Sequence, residues 1–183
     1  KYQAGGTYSF SNDTTLYAVW GTNNYALTID PNGGTWNGQS SNSQINGDFG
    51  TTAAIQDPVP PVGYVIEFNG NGGTVDQASI TSTKSFTNWT VQGPGTLNGK
   101  TYTFGAGPGK LIANYEDNSV LLPTPTREGY ECTGWFTEAT GGLEIGKPGG
   151  SYTPAFGQTL YAQWKANTYT IKFDGNTATS GSM

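Results

Sequence analysis

The chain has 183 residues, a net charge of −5 and a pI near 4.5, with 28 Gly, 10 Pro, one Cys and no His. Its eight basic residues are scattered, which argues against nucleic acid, whose binding rests on Lys and Arg neutralising phosphates, and equally against anionic lipid. No run reaches the eighteen or so apolar residues of a spanning helix, the lone Cys132 excludes an internal disulfide, and 13% aromatics beside 11% charged residues do not fit a disordered tail.

In chain order, the first element is a phrase, GGTYSFSNDTTLYAVW (5–20), in which Leu16, Ala18 and Trp20 share one face of a half-buried strand. The phrase is written again as GGSYTPAFGQTLYAQW (149–164), with the same spacing from Tyr to Trp, and more loosely as GKTYTFGAGPGKLIANY (99–115). An opening strand follows each good copy: YALTID from Tyr25 and YTIKFD from Tyr169, with a related YVIEFN from Tyr64. Asp30-Pro-Asn-Gly-Gly and Asn69-Gly-Asn-Gly-Gly then turn the chain, since Asn and Gly accept positive φ. Residues 36–50 read as a polar loop or a loosely paired hairpin, and 51–55 fits either a short helix or a strand. Val120-Leu121-Leu122 reads as a short strand before a Pro-rich bend, and Phe86 stands three before Trp89 as Cys132 stands three before Trp135. Self-similarity of this kind marks an array of like modules.

The expected fold is therefore β-dominated: tandem small β-grasp-like or β-sandwich modules of short antiparallel strands with Gly/Asn turns. The expected division is 1–20 as the close of a unit, 21–115 as a unit with a divergent or inserted middle (or two units split near 63), 116–164 as a unit, and 165–183 as the opening of another. The chain reads as mature or excised from something longer.

The opening YALTIDPNGGT, the bend PTPTREGYECTGWF and the close TLYAQW resemble the Listeria–Bacteroidetes repeat, also called the internalin B-repeat family. The match is specific at Pro125, Arg127, Gly129, Tyr130, Gly134, Trp135, Leu160, Tyr161, Ala162 and Trp164, and good at Asp30, Asn32, Gly33, Gly34 and Thr35. The resemblance implies a β-grasp-like module of large secreted or surface-anchored bacterial proteins, acting as spacer, stalk or adhesion element with no enzymatic chemistry.

The residues themselves give catalysis little to work with. Without His there is no Ser-His or Cys-His nucleophile, and Cys132 occupies the slot of Phe86, which suits a core thiol. Glu128 and Glu131 have no converging partner of the kind a glycosidase pair requires. Asp30-Pro-Asn32-Gly33 and Asp174-Gly-Asn176 resemble parts of calcium loops but lack a closing Glu, so hairpin turns explain them and no cofactor is expected. Seven Lys and many Asn permit an internal isopeptide bond on composition alone. Trp20, Trp89, Trp135, Trp164, Tyr130, Leu160 and Ala162 read as structural core. Trp36, with Asn37 and Gln39, reads as a candidate glycan contact: a ring in a polar loop offers a sugar its apolar face. Tyr169, Ile171 and Phe173 are candidates for strand donation to a second copy, which would build a head-to-tail filament. The leading expectation is a non-catalytic extracellular repeat array on a bacterial surface, or secreted, meeting a protein or glycan partner. Self-assembly by strand donation and carbohydrate binding are the alternatives.

Overall fold

The computed structural model describes residues 5–174. Among them there is no helix, as low helix propensity and dense Gly, Pro, Thr and Asn dictate. The expected opening segment 165–183 is thus described only to 174, and Asn176 of the second calcium-like turn lies outside the described residues.

The strands fall into two sets, each around its own core. The first set contains β1 (Asn24–Asp30), β2 (Ser43–Asp48), β6 (Lys84–Gln92) and β9 (Gly109–Asp117), hydrogen-bonded in the order β2-β1-β9-β6. A small sheet of β3 (Thr52–Ala54), β8 (Thr101–Thr103) and β7 (Thr96–Asn98) accompanies it. The first core is Leu27, Ile29, Trp36, Ile55, Tyr102, Phe104 and Leu111. The second set contains β4 (Val65–Asn69), β5 (Ser79–Thr81), β11 (Tyr130–Phe136), β12 (Glu144–Gly146) and β14 (Gln158–Ala166), in the order β12-β11-β14-β4-β5. The pair β10 (Val120–Leu121) and β13 (Ser151–Tyr152) sits in the same chain segment. Ile66, Phe68, Leu122, Trp135, Leu160 and Ala162 form the second core.

Both sheets place the unit's first and last strands side by side and parallel. Leu27–Asp30 run against Gly109–Ile112, and Ile66–Asn69 against Gln158–Tyr161, while every other pairing is antiparallel. Alternation explains the burial: Leu27, Ile29, Leu111 and Ala113 are buried on one face, as Ile66, Phe68, Leu160 and Ala162 are in the other sheet.

The two sets interleave along the chain. Residues 65–81, expected within the unit 21–115, supply β4 and β5 to the second sheet and then return the chain to the first at Lys84. The reason is pairing demand. β14 has β11 on one side and needs a partner on the other, and β4 fills that place. Within residues 51–55 the chain forms strand β3 and no helix, and Trp36 and Gln39 close a tight turn over Asn37 and Gly38, both at positive φ.

Candidate functional site

The repeated motif builds the same lock in each core. In the first turn, the Asn32 N–H donates to Asp30 Oδ1 at 2.9 Å, and Asn32 Nδ2 donates to the Ala113 carbonyl at 2.9 Å. In the second, Asn71 N–H donates to Asn69 Oδ1 at 2.9 Å, and Asn71 Nδ2 to the Ala162 carbonyl at 3.0 Å. Both asparagines adopt left-handed φ, near 46° and 48°, which Asn tolerates better than most side chains. Each amide thus adds a rung beyond the end of the parallel ladder. From the closing strand an aromatic answers: Tyr115 Oη donates to the Pro31 carbonyl at 2.7 Å, and Trp164 Nε1 to the Gly70 carbonyl at 2.9 Å. The turn's exit then bridges to the Pro-rich bend, Thr35 with Val59 and Thr74 with Thr126. The motif's Asn-Gly-Gly-Thr, bend and Ala-x-Trp are therefore parts of one fastening.

Where the chain passes between cores, three strand ends lie together. Tyr64 and Ser82 exchange bonds, N–H to Oγ at 2.8 Å and N–H to carbonyl at 2.8 Å, with Ser82 almost fully buried. Asn118 N–H donates to the Thr83 carbonyl at 2.9 Å, its amide to Thr83 Oγ1 at 2.9 Å, and Ser85 Oγ donates to Asn118 Oδ1 at 3.0 Å. Lys84 pairs with Asp117 and stands 4.7 Å over the Tyr64 ring. Gly63 has no room for a side chain here, since a Cβ would fall 2.3 Å from the Ser82 carbonyl.

The expected core residues divide. Trp135, Leu160 and Ala162 are fully buried, and Trp89 and Trp164 pack against the first and second cores. Trp20 does not join a core: it is 89% exposed, since residues 5–23 form no strand among the described residues and Trp20 belongs to neither core. Tyr130 is also exposed; it begins β11 beneath the Arg127 guanidinium, 4.0 Å from the ring centroid, rather than inside. Trp36 reverses its expectation. It is 6% exposed in the first core, with Nε1 donating to the Gln56 carbonyl at 3.1 Å, so neither ring face is open to a sugar and Asn37 and Gln39 flank no platform. Its polar neighbours misled because they make the turn, while the indole points inward. Tyr169, Ile171 and Phe173 are about three-quarters exposed and lie in no strand. Tyr169 Oη accepts from Asn167 Nδ2 at 3.1 Å, and none of the three is paired in a strand among the described residues. Sequence reading places Asn32 in the motif's turn but not its bond to the closing strand, and it singles out neither Asn71, Ser82 nor the Lys84–Asp117 pair, although the twice-written Asn-Gly-Gly-Thr turn carries the signal for the two asparagines.

Charges in the described residues serve geometry. Lys84 is held above the usual lysine range, first by its hydrogen bond to Asp117. Burial pushes the Cys132 thiol up, so it resists becoming a thiolate, and its Sγ donates to the Gly134 carbonyl at 3.6 Å. Asp30 is held below the usual carboxylate range, first by its bond to Lys110 at 2.7 Å and then by the Asn32 N–H, against the effect of burial. Its carboxylate is thus committed to the turn. A depressed folded pKa stabilises above the unfolded value of about 3.9, and that stabilisation is lost as pH falls through the folded value. Asp30→Asn, which copies Asn69 of the sister turn, is expected to flatten the loss of stability below about pH 4. Denaturant midpoints across that range check it, and parallel pH profiles for the two proteins would refute it. Among the described residues no buried side-chain N or O lacks a partner. A groove of about 470 Å³ among the described residues, beside Glu67, Phe68 and Thr159, is lined by a single carboxylate.

With this geometry in view, the Listeria-Bacteroides repeat domain model matches residues 96–163, the family to which the turn, bend and close had pointed. The matched stretch takes the closing strand of the first core and the bend, tryptophan strand and close of the second. Two proteins of Evansella cellulosilytica are each 27% identical to the chain, one provisionally described as a Gly-rich membrane protein (96% of this chain, 20% of the relative) and one as a membrane protein (94% and 26%). The chain spans about a fifth to a quarter of the length of these relatives. No solved structure matches the chain significantly. No helix among the described residues is long and apolar enough to cross a membrane.

Proposed function

We propose that the chain is a non-catalytic spacer segment of a long bacterial surface protein, holding other parts of that protein away from the cell. The observation that carries this is the doubled lock: the turn asparagine and the closing aromatic of the repeated motif make the same strand-fastening bonds in both cores. A sequence pattern spent on strand fastening is what a structural repeat needs, and the match to a repeat family agrees. The relatives, several times longer and described as membrane proteins, supply the setting. The burial of Trp36 removes the sugar platform, so spacing rather than glycan capture is the favoured role. Antibody raised against the purified chain is expected to label intact cells of the bacterium that makes it, and brief protease treatment of those cells should strip the label. Labelling that appears only after lysis would overturn the surface reading.

A further inference from the structure

We infer that each core is a shear clamp, so that the segment bears tension between its two ends instead of merely filling length. The inference takes its setting from the spacer reading but stands on the fold alone.

The chain enters the first core at the N-terminal end of β1 and leaves the second at the C-terminal end of β14. β1 is parallel to β9, whose C-terminal end runs into the second core. A pull on the chain therefore draws β1 toward its own N-terminus while β9 is held from its C-terminus. In a parallel pair these two forces slide the strands along each other, and all the evenly spaced bonds of the ladder take the load at once. The second core repeats the arrangement: β14 is pulled from its C-terminus, and parallel β4 is held from its N-terminus. An antiparallel hairpin pulled at its open end would instead lose its bonds one after another.

Three further features serve the same end. The Asn32 and Asn71 amides reach past the last ladder pair to the Ala113 and Ala162 carbonyls, lengthening each clamp. Tyr115 and Trp164 tie the same turns from the closing strands. At the crossover, the Tyr64–Ser82 and Thr83–Asn118 bonds and the Lys84–Asp117 pair bind the three passing strands where load moves from one core to the other.

The test is single-molecule pulling on the folded chain, with Cys132→Ala removing the native thiol and handles placed through cysteine pairs. Asn24→Cys with Glu116→Cys loads β1 against β9 in shear. Asn24→Cys with Phe49→Cys loads β1 against β2, whose ends meet at Asn24 and Asp48, so that this hairpin unzips. Rupture force is expected to shift upward in the shear geometry, and Asn32→Ala should lower it there while leaving the unzipping force unchanged. Equal rupture forces in the two geometries would overturn the clamp, as would an Asn32→Ala effect of the same size in both. Surface labelling of cells is measured separately, so either reading can fail alone.

Discussion

Trp135→Ala is expected to destabilise both cores, although the side chain touches only the second. The indole is fully buried, stands 4.9 Å from the Phe68 ring, and donates through Nε1 to the Pro123 carbonyl at 2.9 Å. Truncation leaves a large cavity and an unpaired carbonyl, at a cost of about 3–5 kcal/mol. That is a large part of the roughly 5–15 kcal/mol that holds a typical domain folded. The effect spreads because the second core owns residues 65–81 in the middle of the first core's chain. When the second core melts, that stretch becomes a loop of about twenty residues inside the first core, whose closure costs on the order of 2–3 kcal/mol. A core built on so short a chain has little margin to absorb that cost. Amide exchange should therefore show faster exchange at Leu27, Ile29 and Leu111 as well as at Ile66 and Leu160. Unchanged protection in the first core would sink this coupling and leave two independent modules.

Gly34→Ala and Gly73→Ala should each cost about 1–3 kcal/mol, as overpacked sites do. Neither glycine is needed for its φ, unlike Gly33 and Gly72 before them at 88°. The constraint is approach. A Cβ on Gly34 would lie 2.3 Å from the Val59 carbonyl and 2.4 Å from Tyr115 Oη, and one on Gly73 would lie 2.3 Å from Trp164 Cζ2 and 2.7 Å from the Thr126 carbonyl. These neighbours are the lock itself: the bend carbonyls bond Thr35 and Thr74, and the aromatics bond the turn. Making room breaks one or both. Loss of unfolded-state entropy works the other way, by about 0.4–1 kcal/mol, and does not cancel the clash. Gly21→Ala, where a Cβ meets nothing, is the control. Denaturant midpoints for the two lock variants that match the control would refute the account.

The repeated phrases determined a good deal without any coordinates. The closing phrase placed Leu160 and Ala162 in the core, and alternation puts Leu27 and Ile29 on one face, because a strand's two faces are fixed by a period of two. The equivalences of Phe86 with Cys132 and of Trp89 with Trp135 hold in the sheets, where Phe86 faces Tyr115 as Cys132 faces Trp164. The Asn-Gly turns are turns, since their positive φ is a local matter. What the tertiary structure decided was partnership. Strand pairing is non-local, and nothing in residues 64–82 says whether they join the strands around them or a closing strand some ninety positions on. The same holds for Trp20 and Trp36. Both are tryptophans in Thr-, Gly- and Asn-rich surroundings, yet one lies in no strand among the described residues and is bare, while the other is buried in the first core with Ile55, Tyr102 and Phe104. Burial is a property of what arrives opposite a residue, and only the folded chain brings it there.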